Sequence, residues 1–407
     1  MSSAERQTVR SDRSLALAER RAHEARERAL RAGNAGRPTV GARYARAGLR
    51  QLGWKEDGEQ PDTLQVHERH RGLAARLLGI LAQWESEQGH PEYGLHLLNR
   101  AERMAAAEDR GILYLQSGLI FIRTWQESDA LRVLDEAIVL LKQNPAEIAN
   151  LASALINRSF LHLNAGDVRR ARADLTWCRQ VATDGSHDEH AAKALHNLGY
   201  CDLLAGDIPA ALQFFNAAAR IYRTNAPSFL PVLTMDRARA LLAAGLARDA
   251  ADSLDEAMAA FRQQRLDYDL ADAELARAEA ALAAGDPAVA RRWAMAAERR
   301  FRRQGNDALA CQAELTRLRA QPVTAGRPAN VAAEALRLAG RLRERRLAND
   351  ASLAELLAAR ALIAAGRPDE ARRLIAAVRR GGQTVPLTLR LPWMVSRFRG
   401  VELTSTK

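Results

Sequence analysis

Two pairs of histidines have a spacing that could serve metal binding. His67 and His70 form one H-x-x-H string, and His187 and His190 form another. Zinc in proteins is usually held by four ligands, so each pair would need further ligands from elsewhere in the chain. The second pair lies in a polar connector, TDGSHDEH. We therefore predict no metal site.

Other residue patterns of catalysis are missing from the sequence. The three cysteines, Cys178, Cys201 and Cys311, cannot all pair and show no metal spacing, which indicates buried thiols in a reducing compartment. The sequence has no Gly-Lys pair and hence no P-loop, and it lacks G-x-S-x-G, G-x-G-x-x-G and H-E-x-x-H motifs. We predict a protein that is not an enzyme and binds no cofactor.

The amino-acid composition indicates the fold class. Of 407 residues, 47% are hydrophobic but only 5% are aromatic, and runs of strand-favouring residues are nearly missing. This excludes a β-sandwich or a disulfide scaffold and disfavours an α/β enzyme. The sequence predicts an all-α protein.

Positive charge is concentrated in the last third of the chain. The net charge is +11, and residues 287–407 carry 24 basic against 10 acidic side chains. This excess favours an acidic partner there. The arginines could instead contact nucleic acid, but Phe301 is the only aromatic residue interleaved with them, which is too few for base stacking, so we favour a solvated helix face. These arginines are Arg299, Arg300, Arg302, Arg303, Arg341, Arg343, Arg345, Arg346, Arg372, Arg373, Arg379 and Arg380.

Nothing in the sequence resembles a targeting or membrane segment. The N-terminal residues MSSAERQTVRSDRS have no apolar core, and the most apolar run, 111–122, is too short to span a bilayer. We expect a cytoplasmic protein that does not associate with membranes.

A string of the form Leu/Ile-x-Ala-Gly recurs along the chain. The turn glycines are 39 to 41 residues apart, and all but Gly326 end such a string: Gly166, Gly206, Gly245, Gly285, Gly326 and Gly366. Gly36 and Gly89 are earlier members, and Trp125 stands where the third glycine should be. A small residue follows five positions after the glycine and a large one usually nine positions after it, which describes one helix face. Each of nine units therefore reads as helix A, a turn and helix B.

The fifth unit, AAKALHNLGYCDLLAGDIPAALQFFNAAARIY, resembles the tetratricopeptide repeat (TPR). Asn197, Gly199, Ala211, Phe215 and Ala218 match the spacing of that family's consensus, although the period here exceeds the usual 34 residues. The resemblance implies an α-solenoid, a right-handed superhelix of helix-turn-helix repeats. It also implies a concave groove that holds a protein or peptide.

A narrower resemblance concerns the arginine-rich repeat arrays that precede CHAT domains, the caspase-like peptidase domains of actinobacterial proteins. The chain departs from that family because the catalytic domain is missing. No histidine follows His196, and the last cysteine, Cys311, lies in a helical pattern, so no catalytic residue is carried over.

Polar residues recur on helix A of four successive units, nine positions before the turn residue: Gln116, Asn157, Asn197 and Asp236. They either join neighbouring helices, which is the interpretation we favour, or form a ladder that binds a peptide backbone. If the TPR register applies, the groove-facing slot six positions before the turn holds Phe160, Tyr200, Arg239 and Glu279. The hypothesis of peptide binding covers these eight residues, with drift on a solvated face as the alternative for the slot.

The sequence divides into four parts. Residues 1–53 form a first helical pair, 54–64 a polar insertion, 65–380 about eight repeats, and 381–407 a partial repeat or tail. The function predicted is a non-enzymatic scaffold or adaptor for a protein or peptide. The alternatives are a sensor or recruiting arm of a CHAT-type peptidase system and a TPR-containing signalling or transcription regulator. The sequence does not give the oligomeric state.

Overall fold

The computed structural model describes residues 3–34, 37–54, 66–321, 328–345 and 347–380. This part of the chain is built from α-helices and short 3₁₀ turns, and no strand occurs in it. The prediction of an all-α repeat protein is therefore confirmed. The turn glycines Gly36 and Gly326, most of the insertion at 54–64, and the segment 381–407 lie outside the described residues.

Within the described residues, eighteen helices follow one another as nine consecutive pairs. They are α1 (Ser3–Asn34), α2 (Pro38–Gln51), α3 (Arg71–Glu87), α4 (Pro91–Met104), α5 (Arg110–Arg123), α6 (Glu127–Leu141), α7 (Ile148–Asn164), α8 (Val168–Asp184), α9 (Asp188–Ala205), α10 (Ile208–Asn225), α11 (Leu230–Ala243), α12 (Ala247–Gln264), α13 (Asp267–Ala283), α14 (Pro287–Arg303), α15 (Asp307–Arg319), α16 (Pro328–Glu344), α17 (Ala348–Ala364) and α18 (Pro368–Arg380). Odd-numbered helices are the helix A of each pair and even-numbered ones the helix B.

The turn between the two helices of a pair depends on a left-handed residue. Gly166 has a φ of 77°, and its N–H and that of Asp167 bond back to carbonyls of α7, which satisfies the last turn of that helix. The Asp167 carboxylate then accepts a hydrogen bond from the Arg170 N–H and caps α8. Asp207 and Asp286 cap α10 and α14 in the same way, as the sequence predicts.

The third pair makes this turn without glycine. Trp125 has a φ of 60°, and the Gln126 N–H bonds to the Phe121 carbonyl at 2.9 Å. The hydrogen-bond pattern is thus the one that glycine supports elsewhere. Left-handed backbone is costly for a residue with a Cβ, so the repeat imposes this conformation on tryptophan.

The core lies between the helices of each pair and between successive pairs. The small residues five positions after the turn, such as Ala171, Ala211 and Ala250, have no solvent exposure. Phe215 and Phe261 are equally buried, at the large and aromatic positions of their helices. The predicted apolar face of helix B is confirmed.

The chain forms two compact units, which divide within α9 between Ala194 and Leu195. In the first unit α1 packs on α3, α3 on α5, and α5 on α7, in addition to the contacts within pairs. In the second unit α11 packs on α13, α13 on α15, and α15 on α17. The odd-numbered helices of each unit therefore form a continuous row, which we call the odd-helix row.

Candidate functional site

A chain of buried charged groups crosses the odd-helix row of the second unit. The Nε2 atom of His196 on α9 lies 2.8 Å from Oδ2 of Asp236 on α11. Nη1 of Arg239 donates to the other oxygen of Asp236 at 3.2 Å, and its Nη2 lies 2.8 Å from Oδ1 of Asp272 on α13. All four side chains are buried. Arg239 therefore joins two helices by charge-assisted hydrogen bonds.

Glu279 and Arg319 lie further along the same row. Glu279 on α13 is partly buried, and Arg319 at the end of α15 is exposed. Burial raises the pKa of the Glu279 carboxyl to about 7, with Asp272 and Asp350 adding to the rise and Arg319 and Arg239 opposing it. The Glu279 carboxyl is thus only partly ionised near neutral pH, although Arg319 and Arg239 both favour its charged form.

Arg319 is a residue that the sequence analysis missed. It stands 40 residues after Glu279, as Glu279 stands 40 after Arg239. Counting six positions back from Gly326 leads to Ala320 instead, because this repeat is one residue longer. His196 and Asp272 were missed as well, and their role follows from side-chain contacts between helices that no spacing rule identifies. A similar pair follows, because Nε2 of Gln312 on α15 donates to Oδ2 of Asp350 on α17 at 2.7 Å.

In the first unit the predicted polar residues are buried in the odd-helix row. Asn157 on α7 donates from Nδ2 to the Ser153 carbonyl at 2.7 Å. The Oε1 atom of Gln116 on α5 has no hydrogen-bond partner among the described residues, and it lies where a Cβ on Gly79 of α3 would be. Phe160 on α7 is also buried, at 6% exposure.

The eight predicted residues thus fall into two groups by accessibility. Asn197 and Glu279 are only partly buried. The other six are buried, with exposures from 0% to 7%: Gln116, Asn157, Phe160, Tyr200, Asp236 and Arg239. Asp236 and Arg239 form ion pairs, and Asn157 bonds to its own helix. The surface available to a ligand therefore depends on Asn197, Glu279 and the additional Arg319.

The histidine pairs and the cysteines pack among other side chains of the fold. The rings of His67 and His70 are 5.9 Å apart, and those of His187 and His190 are 6.1 Å apart. No group of three or more potential metal ligands occurs within the described ranges. Burial lowers the pKa of His190 to about 3, and its Nε2 lies 3.0 Å from Ser153 Oγ. All three cysteines are buried and outside any disulfide, which confirms the prediction of buried thiols.

Many arginines of the basic region pair with carboxylates of neighbouring helices. Arg300 contacts Glu274 at 3.0 Å, Arg302 contacts Glu314 at 3.4 Å, and Arg341 contacts Glu314 at 2.6 Å. Arg343 pairs with Glu355, and Arg345 with Asp307. The side chains of Arg346 and Arg380 lie outside the described residues. Part of the positive charge counted in the sequence is therefore neutralised within the fold, and an acidic partner in this region stays a prediction.

The architecture is that of a TPR-like helical solenoid. The apo form of the quorum sensor NprR from B. thuringiensis is similar to it, with a TM-score of 0.65 and 11% identity over 88% of this chain and 97% of NprR. A Rap protein complexed with competence and sporulation factor has a TM-score of 0.61 and 12% identity, over 89% of this chain and 98% of that one. A signal transduction ATPase with a tetratricopeptide repeat sensor, from Pyrococcus horikoshii, has a TM-score of 0.57 and 14% identity over 78% of this chain and 47% of its own.

Because the sequence identities are only 11% to 14%, these similarities concern the fold alone. No protein-family model matches the sequence, and no curated protein matches it either. In the described part of the chain, no helix combines the length and the apolar character that crossing a membrane requires.

Proposed function

We propose that the chain is a non-enzymatic scaffold that binds a peptide or an extended protein segment along the odd-helix row. The observation that carries this proposal is the arrangement in the second unit. Partly buried Glu279 and exposed Arg319 lie 40 residues apart on successive odd-numbered helices. On the same row, Arg239 is held by ion pairs with Asp236 and Asp272. A rigid row of differing side chains at regular intervals suits the reading of a peptide residue by residue.

The fold comparisons support the proposal. The similar Rap structure is a complex with competence and sporulation factor, and NprR is a quorum sensor. A repeat scaffold contributes little chemistry of its own, and its affinity comes from many contacts on a preformed surface. We therefore expect binding to depend on side chains of the odd-numbered helices rather than on any single reactive group.

Affinity capture from the source organism tests the proposal. The test variant exchanges two charges on the odd-helix row, Glu279→Arg with Arg319→Glu. The matched control exchanges two exposed charges on even-numbered helices of the same unit, Glu256→Arg with Arg299→Glu. We expect a partner that the wild-type chain and the control retain and that the test variant loses. A partner retained equally by all three proteins would contradict the assignment to the odd-helix row.

A signalling regulator is the second candidate. It is favoured by the overlap with NprR over nearly the full length of both chains. In such a protein the peptide would act as a signal that the solenoid detects. The CHAT-type arm differs only in the identity of the partner, a peptidase substrate or subunit, and the same capture experiment would identify it. It stays a prediction from the sequence resemblance.

A further inference from the structure

Three arginines on one face of α2 line a cleft in the first unit. Arg43, Arg46 and Arg50 form one wall, together with Thr39 and Val40 of the same helix. Gln88, at the end of α3, completes the lining of this cleft of about 260 Å³. Positions 39, 43, 46 and 50 are separated by four, three and four residues, which places them in a single stripe along the helix. We call this surface the α2 cleft.

The α2 cleft has more positive than negative charge. Arg46 Nη2 lies 2.9 Å from Glu85 Oε1, and the second Glu85 oxygen lies 3.1 Å from Nδ1 of His90. Arg43 and Arg50 are exposed and contact no carboxylate of the described residues. Arg46 is three residues from Arg43 and four from Arg50, and like charges at these spacings on a helix repel each other. An anionic ligand would relieve this repulsion.

We propose that the α2 cleft binds an acidic peptide segment through two carboxylates on alternate residues. Alternate residues of an extended peptide point to the same side about 6.8 Å apart. Arg43 and Arg50 are about 10.5 Å apart along the helix axis. Their long side chains can bend toward each other to match the shorter spacing of the two peptide carboxylates. Each guanidinium can bind a carboxylate with two parallel hydrogen bonds, while Val40 and the arginine stems contact the peptide's apolar atoms.

The lining favours a peptide over a nucleic acid. None of the six residues that line the α2 cleft is aromatic, so no surface for stacking bases is present in it. The cleft lies on an even-numbered helix of the first unit, and it is independent of the odd-helix row of the second unit. Failure of one proposal therefore leaves the other standing.

The test measures binding of a defined probe to the full chain at low ionic strength. The probe is the acetylated and amidated peptide Gly-Glu-Ala-Glu-Gly with a fluorescent label, and its partner probe has glutamine in place of both glutamates. We expect the glutamate probe to bind at least tenfold more tightly, with an affinity that falls as salt is raised. The double variant Arg43→Gln with Arg50→Gln should weaken its binding at least tenfold.

The control removes the same amount of charge elsewhere in the first unit. Arg132→Gln with Arg170→Gln replaces exposed arginines of α6 and α8 and should leave binding within twofold of wild type. The melting temperature of the α2 variant should not fall, because like charges have been removed. If that variant fails to fold, Arg50→Gln alone should weaken binding at least threefold.

Three results would overturn the proposal. Equal binding of the two probes would show that the carboxylates are not recognised. An equal loss of affinity for the glutamate probe in the α2 variant and in the control would show that net charge alone attracts the probe. Tighter binding of an oligothymidylate that depends on Arg43 and Arg50 would assign the cleft to nucleic acid.

Discussion

Trp125 shows how strongly a repeat can constrain a single residue. Its φ of 60° matches the left-handed geometry that glycine adopts at the equivalent turn of other pairs, and its side chain is 59% exposed. The surrounding hydrogen bonds, and not the preference of tryptophan, decide the backbone conformation there.

Trp125→Gly should therefore stabilise the protein. Left-handed backbone costs a residue with a Cβ about 1–2 kcal/mol, while glycine adds an entropic cost of about 0.5–1 kcal/mol. We expect the free energy of unfolding in urea to rise by about 0.5–1 kcal/mol. Leu356→Gly is the control, because Leu356 is also exposed but lies in the interior of α17, where glycine should lower the free energy of unfolding. A loss of stability in Trp125→Gly would show that the turn is not strained.

His190 makes the fold sensitive to acid. Its pKa is lowered to about 3 because burial disfavours the imidazolium, so between pH 6.5 and 3 the unfolded chain binds a proton that the folded chain does not. Stability from this group is full above pH 6.5 and decreases as the pH falls, by at most about 1.4 kcal/mol per pH unit. His190→Gln should have a flatter pH profile of urea unfolding in this range. Exposed His96→Gln should keep the wild-type profile.

Glu279 has the opposite effect on how stability depends on pH. Its pKa is raised to about 7 from an ordinary value near 4.5, so between those pH values the folded chain holds a proton that the unfolded chain has lost. The contribution of this carboxyl to stability therefore decreases as the pH rises from 4.5 to 7. Glu279→Gln should remove this dependence and be more stable than wild type above pH 7. The control Glu256→Gln, at an exposed position, should show neither effect. Equal pH profiles for wild type and Glu279→Gln would contradict the raised pKa.

At the scale of the helices, the small positions of helix B control how closely a pair packs. Gly94 occupies this position on α4, and a Cβ added there would lie 2.6 Å from the Ala82 carbonyl oxygen of α3. A backbone atom cannot move aside as a flexible side chain can. The close approach of α3 and α4 therefore requires glycine.

Gly94→Ala should destabilise the chain by about 1–3 kcal/mol, the usual cost of overpacking. Gly340→Ala is the matched control on α16, because no atom lies within 4 Å of its added Cβ. In that open helical position alanine should stabilise by about 0.5–1 kcal/mol. Thermal melts of both variants check the prediction, and a neutral Gly94→Ala would show that α3 and α4 are further apart.

The sequence predicts the helices and turns well because the repeat shows the same signals many times. Glycine at the turn, Asp207 and Asp286 at helix starts, and Ala211 with Phe215 on helix B each have a local cause, and the structure places them as expected. The site is less predictable. The position of Arg239 in the repeat gives its helix but not its burial. Its burial follows from Asp236, one turn earlier on α11, and from Asp272, which the neighbouring helix α13 brings to it.

At the scale of the whole molecule, each unit is a stack of helix pairs whose odd-numbered helices contact one another. The second unit carries Arg239, Glu279 and Arg319 on its odd-helix row, and the first unit carries the α2 cleft. Many arginines of the last third pair with carboxylates inside the fold, so the net charge of +11 overstates the attraction for an acidic partner there. Specific side chains, more than overall charge, should decide what the chain binds.

Photo-crosslinking tests the central claim most directly, because it reports which face a partner contacts. A photoreactive amino acid is placed at position 319 on α15 in one protein and at position 299 on α14 in another; both residues are exposed arginines of the second unit. In extracts of the source organism, our account predicts a discrete crosslinked partner from position 319 and none from position 299. Crosslinking of the partner from position 299 alone, or equally from both positions, would contradict binding along the odd-helix row.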